Sequence, residues 1–236
     1  MKLKYLNMVI MVLSFSILNG APPPEEITVA EGTTYNSSIT TTDIDVVVYP
    51  AARVIGDIET TSGDVHLSEN SRVKRIITSS GNVFLDKGSK VDQTITTDGG
   101  TIRVREGATA NGNVITETGD IRGTGAIFKK DVRNRHGDIM LKTGTYVKGN
   151  VEILNRGHGD DLPPVEIYLG QGVYVKGKVT AQHVGDNVDL VMNGAEVNGQ
   201  INKVNVMGDN DGDSGQGDDD EEEEEDEEGG GKKKKK

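Results

Sequence analysis

Apolar residues recur along most of the chain with a period of 18 or 19 residues. The pattern has apolar residues at positions 1, 3, 9 and 13, and in most copies Gly, Ser or Thr lies shortly before position 1. Nine copies can be aligned, although the copy that begins at Ile121 has Gly123 at position 3 and the last copy, around Leu190, is shortened by one residue. Two adjacent copies show the pattern most clearly, with Val65, Leu67, Val73 and Ile77 followed by Val83, Leu85, Val91 and Ile95.

The spacing of the apolar positions predicts three short strands in each copy. Positions 1 and 3 alternate as in a β-strand, so their side chains point to the same side. Positions 9 and 13 fall on two further strands, and the Gly, Ser and Thr residues between them suit tight corners. We therefore predict an all-β fold, a three-sided parallel β-helix (β-solenoid) of about nine coils over residues 27–207. A helical solenoid is the competing repeat fold, but the alternation and the β-branched residues argue against it.

The composition fits a slim stacked core. Hydrophobic residues make up 33% of the chain and aromatic residues only 4%, with no Trp. Such a composition is typical either of a disordered chain or of a repeat fold that has no wide core, and the periodicity favours the repeat fold. Cysteine is absent, which excludes disulfides, thiolate metal sites and a cysteine nucleophile.

Two segments interrupt the period. Residues 155–164 contain Gly, His, Asp and two Pro residues and stretch one coil to 28 residues, so we expect them to leave the rod as a loop. A smaller excursion is expected between Val184 and Val188.

A second file of residues precedes position 1 and consists of Thr and Ser, namely Thr60, Thr61, Thr78, Ser79, Thr96, Thr97, Thr116 and Thr118. These side chains either form a hydroxyl ladder that satisfies backbone groups at a corner, or present a flat array that orders water, as in ice-binding solenoids.

The two ends of the chain differ from the repeats. Residues 1–20 have a basic start, an apolar run from Met8 to Leu18 and small residues before Ala21, which predicts a signal peptide cut after Gly20. The alternative is a membrane anchor, but the apolar run is short for a bilayer span. We expect a Pro-rich lead-in at residues 21–26, an exported protein that is periplasmic, at the cell surface or extracellular, and no integral membrane span after signal cleavage.

The acidic charge of the chain is concentrated at its C-terminus. Residues 208–236 hold 14 acidic residues and five lysines, so they carry −9 of the formal net charge of −12. Like charges repel, so we predict that this acidic and Lys-rich tail is disordered, and it follows the last coil, where it is placed to block or regulate that end. The remaining body is nearly neutral, which gives no reason to expect binding to nucleic acid.

Candidate chemistry is sparse. The basic cluster Lys129, Lys130, Arg133 and Arg135 either meets an acidic glycan or is simply a solvated face, and His158 lies beside acidic residues in the 155–164 loop. We find no paired carboxylates of the kind that glycan-cleaving enzymes use, so we expect no enzyme activity, no metal and no cofactor. The outward position between positions 1 and 3 holds a large apolar residue in three coils, namely Phe84, Met140 and Tyr168. We expect these residues to be exposed, either as a candidate assembly surface or as surface residues that make no contact with a partner.

Four segments share the form small–x–Val–x–Gly–x–Val/Ile: Ala52–Ile58, Thr145–Val151, Val173–Val179 and Ala195–Ile201. On these segments the chain resembles the bactofilins, polymer-forming cytoskeletal proteins of bacteria, over roughly residues 46–201. The resemblance implies a three-sided parallel β-helix whose rods join end to end into non-polar filaments without nucleotide. Bactofilins are typically cytoplasmic or associated with the inner membrane, whereas this chain carries a predicted export signal.

Three functions follow from these observations. The first is an exported, non-enzymatic β-solenoid that polymerises or scaffolds in the cell envelope, with self-association end to end through open strand edges. The second is a surface adhesin or glycan-binding module that uses the 155–164 loop and the 129–135 basic cluster, with cell-envelope polysaccharide as a partner. The third is a polysaccharide-active β-helix enzyme.

Overall fold

The chain folds as a three-sided parallel β-helix of nine coils, as its period predicts. The computed structural model describes residues 26–157, 163–182 and 187–208, and every regular element in these ranges is a β-strand. The predicted signal peptide, the lead-in up to residue 25 and the tail from residue 209 lie outside the described residues. The first strand begins at Glu26, which already pairs with Asp45 of the next coil.

Three faces make up the rod. The first face is a ten-stranded parallel sheet made of β1 (Glu26–Val29), β4 (Asp45–Val48), β6 (Val65–Leu67), β8 (Val83–Leu85), β11 (Ile102–Val104), β14 (Ile121–Thr124), β17 (Ile139–Lys142), β20 (Val165–Leu169), β23 (Val188–Met192) and β26 (Asn205–Gly208). The second face contains β2 (Thr34–Tyr35), β5 (Arg53–Thr60), β7 (Arg72–Thr78), β9 (Lys90–Val91), β12 (Thr109–Ala110), β15 (Ile127–Phe128), β18 (Tyr146–Val147), β21 (Tyr174–Val175) and β24 (Glu196–Val197).

The third face contains β3 (Ile39–Thr41), the second halves of β5 and β7, β10 (Ile95–Thr97), β13 (Val114–Thr116), β16 (Val132–Asn134), β19 (Val151–Ile153), β22 (Val179–Ala181) and β25 (Ile201–Asn202). Strands β5 and β7 turn the corner without a break, so the second and third faces form one continuous 16-stranded sheet.

The core consists of four vertical files of mainly apolar side chains, two from the first face and one from each of the other two faces. On the first face, Val65 pairs with Val83 and Val83 pairs with Ile102, and all three side chains are fully buried. Ten strands at a ~4.8 Å step give the first face a length of about 43 Å. Each file packs small β-branched residues on one another, which explains how a chain almost without aromatics buries a continuous core.

The corner between the first and second faces uses a left-handed backbone conformation in every coil. Glycine fills seven of the nine positions, and the other two are Ala51 (φ 56°) and Asn70 (φ 57°). The next residue in each coil is small or β-branched and points inward, as Ala52 and Ser71 do. Because non-glycine residues adopt this conformation at a cost, Ala51 is a strained position in the stack.

The corner between the third and first faces explains the threonine file. The Oγ1 atoms of Thr60, Thr78 and Thr97 accept hydrogen bonds of 2.9–3.0 Å from the backbone N–H groups of the corner glycines of their own coils. These threonines are buried, and Thr116 is buried in the same file. The hydroxyl ladder is therefore confirmed, and the inward threonines do not form a water-ordering array, because their hydroxyls face the backbone.

One coil departs from the predicted pattern. Ile76, and not Ile77, is the inward residue of the third face, since it pairs with Ile58 below and Ile95 above and is fully buried. The prediction for Ile77 was wrong because this coil has one residue fewer at the corner after Val73, where the register with β5 shifts. The two neighbouring isoleucines exchange roles and the file stays apolar.

The predicted loop leaves the rod between β19 and β20, and residues 158–162 lie outside the described part. Arg156 is 5% exposed and its Nη2 donates a 2.6 Å hydrogen bond to the carbonyl of Pro163. This contact closes the base of the loop, and the chain returns in register, with Ile167 paired to Ile139. The smaller excursion falls on residues 183–186, which lie outside the described part, and β23 begins at Val188, where the excursion was expected to end.

Candidate functional site

The C-terminal end of the rod exposes the ends of the core files. Val206 occupies the inward file of the first face, since it pairs with buried Leu190, yet it is 58% exposed. Met207 beside it is 54% exposed. Val197 and Ile201 hold the corresponding inward positions of the other two faces and are only partly buried. Within the described residues, strand β26 pairs on one side only, with β23.

The N-terminal end has the same construction. Ile27, Tyr35 and Ile39 each begin one inward file, on the first, second and third face respectively, as their pairings with the second coil show. Ile27 and Tyr35 are partly exposed, and Ile39 is buried. Strand β1 pairs on one side only among the described strands. Each end of the rod therefore offers unpaired strand edges together with apolar side chains.

The two ends carry matching residues in each inward file. On the first face the file runs without a break from Ile27 to Val206, and all ten of its members are apolar: Ile27, Val46, Val65, Val83, Ile102, Ile121, Ile139, Ile167, Leu190 and Val206. The second file begins at Tyr35 and ends at Val197, and the third begins at Ile39 and ends at Ile201. The first face has ten strands and the other two have nine each, so a second copy placed head to tail would meet apolar residues on every face, with the first face one strand further along the rod.

The predicted basic cluster is divided by the fold. Lys129 and Lys130 are exposed at the corner between the second and third faces. Arg133 lies on the third face and forms ion pairs with Asp131 (2.6 Å) and Glu152 (2.8 Å). Arg135 forms an ion pair with Glu117 at 2.8 Å. Two of the four cations are thus neutralised by neighbouring coils, while His158 lies outside the described residues.

The three large apolar residues of the first face lie in one file but are not fully exposed. Phe84, Met140 and Tyr168 are each partly buried, because the side chains of adjacent coils cover them. The His66 ring meets Phe84 edge to face at 6.0 Å, and Lys142 lies over the Tyr168 ring at 5.3 Å. The expectation that they are exposed therefore holds only in part, because neighbours one coil away shield an outward residue on a parallel sheet.

A groove on the first face was missed by the sequence analysis. Its lining comes from strands β11, β14 and β17 and from the two residues after β11, and it includes Arg103, Arg105, Arg122, Met140 and Lys142. The signal was present in the sequence, since Arg103 and Arg122 hold the same outward position in consecutive coils. Residues 40 positions apart come together only when the coils are stacked.

The corner segments that resemble the bactofilins have a steric explanation. A Cβ atom at Gly177 would collide with the backbone of Gly149, and a Cβ atom at Gly199 would collide with that of Gly177. The glycine thus lets the backbone of one corner lie directly on the corner below, while Gln93 and Lys130 hold the same position in two other coils. The chain matches no protein-family model, and no curated protein and no solved structure is significantly similar to it.

The described residues contain neither a cluster of metal-binding side chains nor a helix that could span a membrane. Across residues 26–157, 163–182 and 187–208, no three His, Asp or Glu side chains are grouped so that they could hold a metal ion. In the same ranges no helix has the length and apolar character needed to cross a bilayer.

Proposed function

We propose that this protein is a non-enzymatic, exported β-solenoid that assembles end to end and serves as a scaffold in the cell envelope. The observation that supports assembly is that the same inward file begins and ends with an apolar or aromatic residue on each face. The file of the first face begins at Ile27 and ends at Val206, that of the second face runs from Tyr35 to Val197, and that of the third face runs from Ile39 to Ile201. The resemblance to the bactofilins supports the same function.

The unpaired edges supply the hydrogen-bonding part of the contact. Strands β1 and β26 each have one free edge among the described strands, and such edges pair readily with another chain. Apolar burial adds to this, since Val206 and Met207 are more than half exposed in the single rod. Because ladder pairing is parallel throughout, a head-to-tail contact continues the existing geometry without a change of strand direction.

The 129–135 basic cluster lends less support to the alternative adhesin function. Arg133 and Arg135 are engaged in ion pairs, which leaves Lys129 and Lys130 as its exposed cations. The proposal for assembly therefore takes precedence over glycan binding at this cluster.

The test of assembly is analytical ultracentrifugation of the chain from residue 21 to residue 236 over a range of concentrations, with negative-stain electron microscopy of the same samples. We expect rods that grow in multiples of about 43 Å with protein concentration. Val206→Asp should abolish this growth, because it places a charge in the apolar contact. Rods that stay monomeric at every concentration, with or without residues 209–236, would refute assembly.

A matched variant controls for exposed apolar surface in general. Ile55 is 46% exposed, similar to Val206, but it lies on a lateral corner of the second coil. Ile55→Asp should therefore leave assembly unchanged. Equal loss of assembly in both variants would point to lateral association and not to end-to-end stacking.

Localisation is tested separately. Mass spectrometry of the protein recovered from cell fractions should show a mature N-terminus near Ala21 in the exported fraction. An intact Met1 in the cytoplasmic fraction would overturn the envelope location and leave the assembly proposal standing.

A further inference from the structure

The groove on the first face has an unusual charge arrangement. Arg103 and Arg122 are paired neighbours on adjacent parallel strands, and Arg105 and Lys142 belong to the neighbouring outward file. Together they place four cations along three coils, with Glu106 as the carboxylate in the lining. The groove is open along the surface and has a volume of about 500 Å³.

The four cations differ in how far they are neutralised. Arg105 forms an ion pair with Asp86 and Arg122 forms one with Asp120, at 2.7 and 2.8 Å. Each pair uses part of a guanidinium that has five N–H donors. Arg103 and Lys142 form no ion pair with a carboxylate among the described residues. The guanidinium of Arg103 lies over the ring of Phe84 at 5.9 Å, and the ammonium group of Lys142 lies over the ring of Tyr168 at 5.3 Å.

Two like charges side by side on a sheet repel each other, and an anion between them removes that repulsion. Arginine is suited to the task because its planar fork binds carboxylate or phosphate in a bidentate manner. The groove also has an apolar side, since Met140 lines it, and Phe84 and Tyr168 lie in the same file on either side. From Phe84 to Tyr168 the file spans four coil steps, or about 19 Å.

We infer that this groove binds a linear anionic polysaccharide that carries carboxylate or phosphate groups. The cations hold the anionic substituents, and the apolar and aromatic side chains contact the C–H surfaces of the sugar rings. An open groove along a flat sheet lets a polymer pass beyond it at both ends. Nucleic acid fits less well, because the body of the protein is nearly neutral and the chain as a whole carries −12.

The site is distinct from the rod ends, so it does not depend on the proposed assembly. A monomeric rod carries the complete groove, because all of its lining residues come from one chain. Binding can therefore be measured in a background that contains Val206→Asp, where a failure of assembly and a failure of binding are separate results.

The experiment is fluorescence anisotropy of the full chain with labelled polygalacturonate and labelled phosphomannan, at low and at physiological salt. Neutral dextran and single-stranded DNA of similar length serve as comparison ligands. We expect binding to one or both anionic polysaccharides, weakening as salt screens the charges. Preference for polygalacturonate assigns carboxylate as the recognised group, and preference for phosphomannan assigns phosphate.

The decisive variants have the same change in charge. Arg103→Gln combined with Arg122→Gln should weaken binding about tenfold or more, because two charge-assisted contacts are lost. Lys129→Gln combined with Lys130→Gln removes two exposed cations from another corner and should change the affinity less than about twofold. Thermal unfolding followed by circular dichroism checks that both double variants remain folded.

Three results would overturn the inference. The first is no binding of either anionic polysaccharide at low salt. The second is an equal loss of affinity in the two double variants, which would mean nonspecific attraction to surface charge. The third is binding of dextran or DNA as tight as that of the anionic polysaccharides.

Discussion

The ring of Phe128 occupies the space that a side chain at position 123 would need. A Cβ atom at Gly123 would lie 2.9 Å from Cε2 of Phe128 and 3.0 Å from Cδ2 of Leu141. Phe128 is the largest fully buried side chain of the rod, and it lies in the same coil as Gly123. Most other coils have a medium-sized side chain at each of these two inward positions. This coil has a large side chain at one position and no side chain at the other, so the total volume of the core is kept.

This exchange predicts strong coupling between the two positions. Phe128→Val should destabilise the protein by about 2–4 kcal/mol through the cavity it leaves, and Gly123→Val should cost about 1–3 kcal/mol through overpacking. The double variant restores the regular valine pattern, so we expect it to lie within about 1.5 kcal/mol of the natural sequence. A double-mutant cycle measured by urea unfolding checks this, and simple additivity of the two costs would contradict the packing described here.

The left-handed backbone conformation of Ala51 predicts that its replacement by glycine stabilises the protein. Its left-handed backbone conformation is occupied by glycine at the same corner of seven other coils, so Ala51→Gly should stabilise the rod by about 0.5–1 kcal/mol after the cost of glycine in the unfolded chain. Gly107→Ala is the matched opposite change, since a Cβ atom there meets no atom closer than 3.8 Å. It should cost about 1–2 kcal/mol through the backbone alone. Chemical denaturation measures both changes, and the same sign for both would refute this account.

The ion pairs of Asp57 predict that the free energy of unfolding decreases at acidic pH. Its carboxylate is 12% exposed and lies 2.6 Å from Nη2 of Arg75 and 3.2 Å from Nζ of Lys74. Burial alone raises the pKa of Asp57, but the hydrogen bonds and positive charges of Lys74 and Arg75 outweigh it and hold the pKa below the ordinary value of 3.8. The carboxylate therefore stabilises the fold above that value, and this contribution is lost as the pH falls through the lower pKa of the folded state.

We expect Asp57→Asn to cost about 1–3 kcal/mol at pH 7. The difference in unfolding free energy between the natural protein and this variant should be constant above about pH 5 and shrink below the ordinary aspartate pKa. Asp92→Asn breaks the more exposed pair with Arg72 and should cost no more than about 1 kcal/mol. A difference for Asp57→Asn that persists unchanged to pH 2 would show that the ion pairs are not its cause.

The matching ends predict the polarity of assembly. Ile27→Asp and Val206→Asp should each give monomers alone, because each blocks one end. Mixed together, they should form a one-to-one dimer, since each keeps the end that the other has lost. Sedimentation of the separate and mixed variants measures this directly. Dimers of each variant alone, with no new species on mixing, would instead indicate the non-polar arrangement that the bactofilin resemblance implies.

The inward files were predictable because a strand maps sequence spacing directly onto side-chain direction. Val65, Val83 and Ile102 stack as their period requires. The choice between Ile76 and Ile77 was not predictable, because both are isoleucine and a corner shorter by one residue leaves no mark on the hydrophobic pattern. Phe128 was missed because its partner is a glycine, which has no side chain to suggest a contact.

The candidate sites were harder to predict for a similar reason. Lys129, Lys130, Arg133 and Arg135 are close in sequence, but Lys129 and Lys130 lie at a corner, while Arg133 pairs with Asp131 and Glu152 and Arg135 pairs with Glu117 of another coil. The groove around Arg103 and Arg122 depends on residues that meet only through stacking. Charge patterns in the sequence therefore identify residues that are close along the chain, whereas the surface of a solenoid is formed by residues from several coils.

The rod accepts additional chain at one particular corner. After β19 the backbone departs and comes back with Ile167 against Ile139, and after β22 it does so again, with Leu190 against Ile167. Both connections join the third face to the first, so at this corner the coils of one rod close over connections of different length. A fluorescent or affinity tag inserted between Gly157 and Pro163 would thus lie on the flank of the molecule, at a corner where the coils of this chain already differ in length, leaving both termini untouched.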